Sequence, residues 1–225
     1  ALGDNCKVHI VHLSSDEALD SIAQAKAEGL RFTAETCPHY LTIASEDIPD
    51  GKTLFKCCPP IRENNNREHL WQAVKDGRLS FIVSDHSPCT PELKHIDTGD
   101  IEKAWGGISA LQFGVSLIWT EAKKRDVSLV DIARLMSYET ASFAGLSSIK
   151  GAIKLGNHAD FLVFDPNAEF TITNEMIKHR HNITPYAGRK VFGQVLHTFV
   201  RGHHVYQQDE FINTPKGRPL LKGQG

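Results

Sequence analysis

Two short apolar runs in the sequence each end on a side chain able to hold a metal or carry a proton. Residues 81–83 (Phe81-Ile82-Val83) read as a buried strand, and Asp85 arrives as that strand ends, followed by His86 and Ser87. Pro88 and Thr90-Pro91 bar the continuation of a strand ladder or a helix, so Asp85, His86 and Ser87 are expected on a loop. Residues 7–13 repeat the design, with His12 at the exit ahead of Ser14-Ser15. A titratable group at the carboxyl end of a buried strand is where α/β enzymes keep their chemistry.

Each residue has an ordinary and a chemical reading. His9 and His12, three apart on a strand, face opposite sides. His9 therefore reads as a satisfied core histidine, and His12 belongs with Asp85 at the exit end. His12 bonded to a carbonyl, or Asp85 capping the following turn, would be purely structural. As a pair, an imidazole and a carboxylate from different strand ends are the ligand types a divalent metal takes in a hydrolase. Catalytic zinc wants at least three protein ligands and an open position for water, and His39 and His86 are the extras on offer. Cys37, Cys58 and Cys89 fall on loops at the same ends, but no orienting pair for a thiol nucleophile is evident. There is no Gly-rich phosphate loop, no G-x-S-x-G elbow and no H-E-x-x-H.

The elements that must position these groups follow from periodicity. After the strand at 7–13, Ser14 or Ser15 can cap a helix with Asp16 and Glu17 in its first turn, where the macrodipole favours acids. Ala18, Leu19, Ile22, Ala23 and Ala25 give it a buried stripe, and Gly29 ends it. Residues 30–36 form the next strand, making a β-α-β unit with a crossover long enough for parallel pairing. Cys37-Pro38-His39-Tyr40 is expected on a loop, residues 63–75 as a helix stopped at Gly77, and 101–124 and 128–143 as two more helices. From Gly151 short Val, Ile and Phe runs are broken by Gly, Asn, Asp and Pro. Strands are expected at 152–154, 161–164, 169–173, 195–200 and 204–206, with His203-His204 as an exposed turn pair and a loose tail from Asn213. The fold class is α/β, with βα units over 1–150 and a small β-rich domain over 151–225. A closed barrel takes ~250 residues for eight units, so a small open sheet and the last part of a barrel both remain open on pattern alone.

Bulk composition narrows the function classes. A net charge of −2 with both signs scattered gives no electrostatic footprint for nucleic acid or an anionic membrane. No apolar run approaches the ~20 residues of a bilayer span. Five cysteines without framework spacing point to free thiols in a reducing, intracellular setting, cytoplasmic or organellar. The chain opens on Ala1 with a strand pattern beginning at Lys7, so it is expected to be a piece of a longer protein with any targeting signal upstream. Strands without neighbours would expose edges, and self-association is expected.

Four motifs carry a resemblance: Val11-His12-Leu13-Ser14-Ser15, Glu35-Thr36-Cys37-Pro38-His39-Tyr40, Pro59-Pro60-Ile61-Arg62 and Ser84-Asp85-His86-Ser87-Pro88-Cys89. In this order and spacing the chain resembles the cyclic amidohydrolases, the group of dihydroorotases, dihydropyrimidinases (hydantoinases) and allantoinases. Ala104-Trp105-Gly106-Gly107-Ile108, Tyr186-Ala187-Gly188-Arg189 and Ser87-Pro88-Cys89 look most like the allantoinase branch. The run from Lys150 to Val163 is similar to the superfamily's return to a small β domain. The resemblance implies a (β/α)8 barrel with a side β domain, a centre of two zinc ions, and a small cyclic amide, allantoin, as substrate; a homo-oligomer is expected from the exposed strand edges. It makes His12 a metal ligand, Asp85 a metal ligand and the general base, and Cys58 and Trp105 substrate contacts; His39 has no ligand role. The family's His-x-His pair, carboxylated lysine and fifth-strand histidine have no counterparts here. The chain alone is therefore expected to be inactive. The alternatives are another cyclic amidohydrolase of the dihydropyrimidinase or dihydroorotase type, or a non-catalytic homologue.

Overall fold

The computed structural model describes residues 6–212 and 214–220. Three short parallel strands, β1 (Val8–Ile10), β2 (Phe32–Thr36) and β3 (Phe81–Ile82), lie in the order β1-β2-β3. His9 opposes Thr33, and Thr36 opposes Ile82. The strands are shorter than the apolar runs suggest, because the chain turns at their exits into a left-handed backbone at His12 (φ 39°) and Asp85 (φ 42°). Ser15 accepts a hydrogen bond from the amide of Glu17 and opens a short 3-10 turn. The turn runs into α1 (Leu19–Ala27), whose Leu19 and Ile22 are buried. Gly29 leaves that helix at φ +76°.

The stretch expected as a loop after β2 is a compact buried helix, α2 (Pro38–Thr42), with proline in its first turn where no amide is needed. Helix α3 (Asn64–Asp76) buries Leu70, Trp71, Ala73 and Val74 and ends at Gly77, φ +82°. The helix expected over 101–124 exists only as α4 (Gly114–Lys123). Residues 88–113 are turns instead: Gly106 and Gly107 interrupt them, and the Trp105 and Gly107 carbonyls are taken by the Lys94 ammonium rather than by amides one turn on. Ser128 caps α5 (Leu129–Ala133) in a reciprocal pair with Asp131. The helix continues through a π-helical turn (Arg134–Tyr138) into α6 (Glu139–Phe143).

The remainder is an antiparallel sheet, β4 (Phe161–Thr171), β5 (Lys190–Val200), β6 (His203–Gln207) and β7 (Glu210–Phe211), in sequential order. The two runs expected at 161–164 and 169–173 are one strand, β4, whose register shifts between Asp165 and Glu169. Residues 152–154 form no strand, and Ile153 lies almost wholly exposed. His203-His204 is not a turn pair but part of β6, with the His204 ring stacked 4.5 Å from Phe199. The expected tail from Asn213 falls partly outside the described residues; residues 214–220 carry no helix or strand and are exposed.

Helix α4 packs against α2 on one side and the antiparallel sheet on the other. Ser116 Oγ donates to the Gly193 carbonyl at 2.5 Å, Thr120 Oγ1 accepts from the Phe192 amide at 2.8 Å, and Trp119 Nε1 donates to the Pro166 carbonyl at 2.9 Å. Gly193, at φ +91°, leaves room for Trp119 and the Phe164 ring where a Cβ would stand. One core of buried side chains runs from Leu19 and Leu41 through Leu117 and Ile118 to Ile172 and Val191.

Candidate metal centre

The exits of β1 and β3 bring His12 and Asp85 to one place, with His39 of α2 beside them. Both His12 and Asp85 adopt positive φ, a region that Asn, Asp and His enter more readily than other side-chain-bearing residues. Strain of this kind collects at functional sites. No pattern in the sequence announces it. Asp85 Oδ2 lies 3.9 Å from His39 Nε2. That contact is not an ion pair, because burial, and then the charge of His12, lower the His39 pKa to about 3 and keep its ring neutral. Neither ring nitrogen of His39 has a hydrogen-bond partner, and the buried Nδ1 of His12 has none either.

Burial pushes the Asp85 carboxyl up from its usual range, and His12 pulls it partly back. Cys37, Asp85 and His39 offer ligand atoms within 4.8 Å of one another. Burial raises the Cys37 thiol strongly, and the charges of Asp85, Glu35 and Cys57 add to it, so the group is a protonated thiol rather than a thiolate. A raised carboxylate among imidazole nitrogens with no protein partner is a donor set that a divalent metal would satisfy.

His9 lies outside this group. Its ring bonds Thr33 Oγ1 at 2.8 Å and Glu35 Oε2 at 3.1 Å, the satisfied core histidine expected from spacing. His86 also turns away, accepting the Leu111 amide at Nδ1 and packing 5.0 Å from the His179 ring. Cys58 is exposed, and Trp105 is 47% exposed. They belong to two loops that touch through Gly106, where an added Cβ would stand 2.7 Å from Cys58 Sγ. Sequence reasoning missed Lys94, a lysine 3% exposed between these loops. Its only signal was a charged residue among prolines and glycines, which reads as surface.

The neutral state of His39 has a pH consequence. An unfolded histidine titrates near 6.5, so between that pH and about 3 the unfolded chain binds a proton that the folded chain refuses. Stability is therefore full above pH 6.5 and falls as pH drops toward 3, by up to ~1.4 kcal/mol per pH unit for one group. Urea midpoints of the metal-free chain should decline over this window, and His39→Gln should flatten the decline. A profile unchanged by that substitution would mean His39 does not drive it.

The parallel α/β core, the polar groups gathered at its strand exits and the antiparallel sheet beyond them have counterparts among known proteins. The chain belongs to the amidohydrolase family, whose model matches residues 3–205. It is 51% identical to the allantoinase of Streptomyces avermitilis over 218 residues, which is 97% of this chain and 48% of that protein. To the allantoinase of Saccharomyces cerevisiae it is 46% identical over 215 residues, 95% of this chain and 46% of the relative. The solved L-hydantoinase (dihydropyrimidinase) of Arthrobacter aurescens matches with a TM-score of 0.87 at 27% identity, over 92% of this chain and 46% of that one. The chain thus spans about half the length of the relatives it matches. Among the described residues no helix is long and apolar enough to cross a membrane.

Proposed function

We propose that this chain forms the last βα units, over 1–150, and the small β domain, over 151–225, of a metal-dependent (β/α)8-barrel hydrolase that opens the ring of allantoin to allantoate. The observation that carries the reading is the approach of His12, whose buried Nδ1 lacks a partner, to Asp85 from a separate strand exit. The higher identity to the allantoinases, 51% and 46%, than to the hydantoinase, 27%, favours allantoin over dihydropyrimidines. An open cavity of about 880 Å³ beside β3, lined by Ile82, Leu111, Met136 and Tyr206, is the kind of uncovered apolar face that further barrel strands would close.

In this reading His12 and Asp85 are ligands for zinc, two ions in the whole protein, and residues outside this chain supply the other ligands a closed centre needs. A metal held there would supply Lewis acidity and would lower the pKa of water. Asp85 takes the proton of the attacking water on its carboxylate and returns it to the departing amide nitrogen. The neutral His39 ring fills the wall beside Asp85 without competing for its charge. The Cys58 turn and Trp105 hold the ring of the substrate from the exposed side.

The test is a turnover panel of allantoin, dihydrouracil and dihydroorotate on the full reading frame containing this chain, with zinc and after chelation. Turnover of allantoin, lost on chelation and restored by zinc, is the expected result. Turnover of dihydrouracil or dihydroorotate without allantoin would move the protein to another cyclic amidohydrolase. No turnover of any of the three would remove the enzyme reading.

A further inference from the structure

We propose that Lys94 is a positioning residue for the substrate face: by drawing the carbonyls of Lys56, Trp105 and Gly107 to one buried ammonium, it sets where Cys58 and Trp105 stand relative to Asp85. For the identity of its substrate this inference rests on the cyclic-amide reading; for the clamp itself it rests on geometry. Lys94 Nζ donates to the Lys56 carbonyl at 2.8 Å, the Trp105 carbonyl at 2.8 Å and the Gly107 carbonyl at 2.6 Å. Three donors meet three acceptors, so the ammonium is fully used. Its electrostatic neighbours include the Cys89, Cys57 and Cys58 thiols and the Lys56 ammonium, and among the described residues no carboxylate forms an ion pair with it.

A buried cation without a counter-charge is expensive unless its hydrogen bonds are complete. Here completeness depends on three separate segments being in place together. Burial lowers the amine only to about 8, so at neutral pH it keeps all three N–H groups.

Each carbonyl belongs to a segment with a neighbour at the site. Lys56 is two residues from Cys58. Trp105 is itself a proposed contact, and its amide donates to the Leu93 carbonyl at 2.8 Å, so residues 93–94 hold it by both main-chain groups. Gly107 precedes Ile108, whose carbonyl accepts the Ser87 amide at 3.0 Å, two residues from Asp85. The clamp brings the backbones together at glycines. Added Cβ atoms would stand 2.7 Å from Cys58 Sγ at Gly106 and 2.5 Å from Ser87 Oγ at Gly107. One ammonium therefore sets the spacing between the Asp85 loop, the Cys58 turn and the Trp105 loop.

The test compares Lys94→Met, Lys94→Arg and Ser128→Ala in the full-length, zinc-loaded protein with allantoin as substrate. Ser128→Ala removes a remote helix cap and serves as a purely structural lesion. Lys94→Met should raise KM at least tenfold with kcat changed less than threefold. Lys94→Arg should recover most of that loss, and Ser128→Ala should lower Tm without moving KM. A KM unmoved by Lys94→Met, or moved equally by Ser128→Ala, overturns the proposal.

Two measurements on the present chain do not depend on turnover. In the wild type, hydrogen exchange at the Trp105 and Ser87 amides should be slow despite the irregular backbone; fast exchange at both sinks the clamp even if the lysine variant fails to fold. Alkylation of the buried Cys57, mapped by fragment mass, should run at least tenfold faster in Lys94→Met, and an unchanged rate counts against the clamp. If the wild type opens no cyclic amide, the functional reading falls while exchange and alkylation still decide the role of Lys94.

Discussion

Asp85→Asn should lower allantoin turnover by about 10³-fold or more, while the metal-free fold melts within a few degrees of the wild type. The two halves of that expectation have separate causes. Asparagine tolerates the left-handed backbone that Asp85 adopts at φ 42°, so the exit of β3 keeps its path. It carries no charge for a metal and no site for a proton, so both proposed functions of the carboxylate are lost in one step. The raised carboxyl pKa shows that burial already penalises the charge when no metal is bound. Removing the charge should therefore not destabilise the metal-free protein. The check is kcat/KM at saturating zinc beside melting curves with and without metal. Activity within tenfold of the wild type would strip Asp85 of its role as proton carrier.

Trp71→Ala should remove about 3–5 kcal/mol of stability, the usual range for deleting a large buried aromatic. Trp71 is 1% exposed, and its Nε1 donates to the Leu41 carbonyl at 2.8 Å, tying α3 to the helix that carries His39. The Arg125 guanidinium lies 5.1 Å from the ring centroid and is itself held by Glu68 and Glu121. Truncation leaves a cavity, an unpaired carbonyl and a cation without its aromatic face. Against the ~5–15 kcal/mol of a typical domain this is a large fraction. Urea unfolding measures it, with Trp71→Phe as the comparison that keeps most of the packing and loses only the N–H bond. A loss below ~1 kcal/mol would mean the core refills the space.

The sequence was most readable where one local rule decides the outcome. Gly29 and Gly77 end α1 and α3 because the left-handed exit needs no Cβ, and Ser128 caps α5 because its hydroxyl reaches Asp131. The strands carrying His12 and Asp85 were visible as β-branched and aromatic runs, although both proved shorter than their apolar lengths. What could not be read was set by partners distant in the chain. Residues 101–113 carry enough apolar side chains to suggest a helix, but the Trp105 and Gly107 carbonyls bond to Lys94. Pro38-His39-Tyr40 sits in α2 because tertiary burial, rather than propensity, encloses it. The positive φ at His12 and Asp85, and the orphaned nitrogens of His39, depend on the crossing of three strand ends. No window of sequence contains them. The motifs supplied by resemblance marked these same places without giving their physical cause.

Helix α4 has almost no side facing water: of Gly114–Lys123, Lys123 alone is exposed. Gly114 stands against Pro38 of α2, while Ser116, Trp119 and Thr120 bond to the backbone of the antiparallel sheet. Detaching the antiparallel sheet would strip one flank of this helix and leave its polar side chains and the strand's backbone groups unsatisfied, and detaching α2 would bare the other flank. The two sheets are thus bound into one cooperative folding unit. Damage far out in β4 or β5, at Gly193 for example, would reach the strand exits by lowering the fraction of chains folded, without changing the geometry of those that remain.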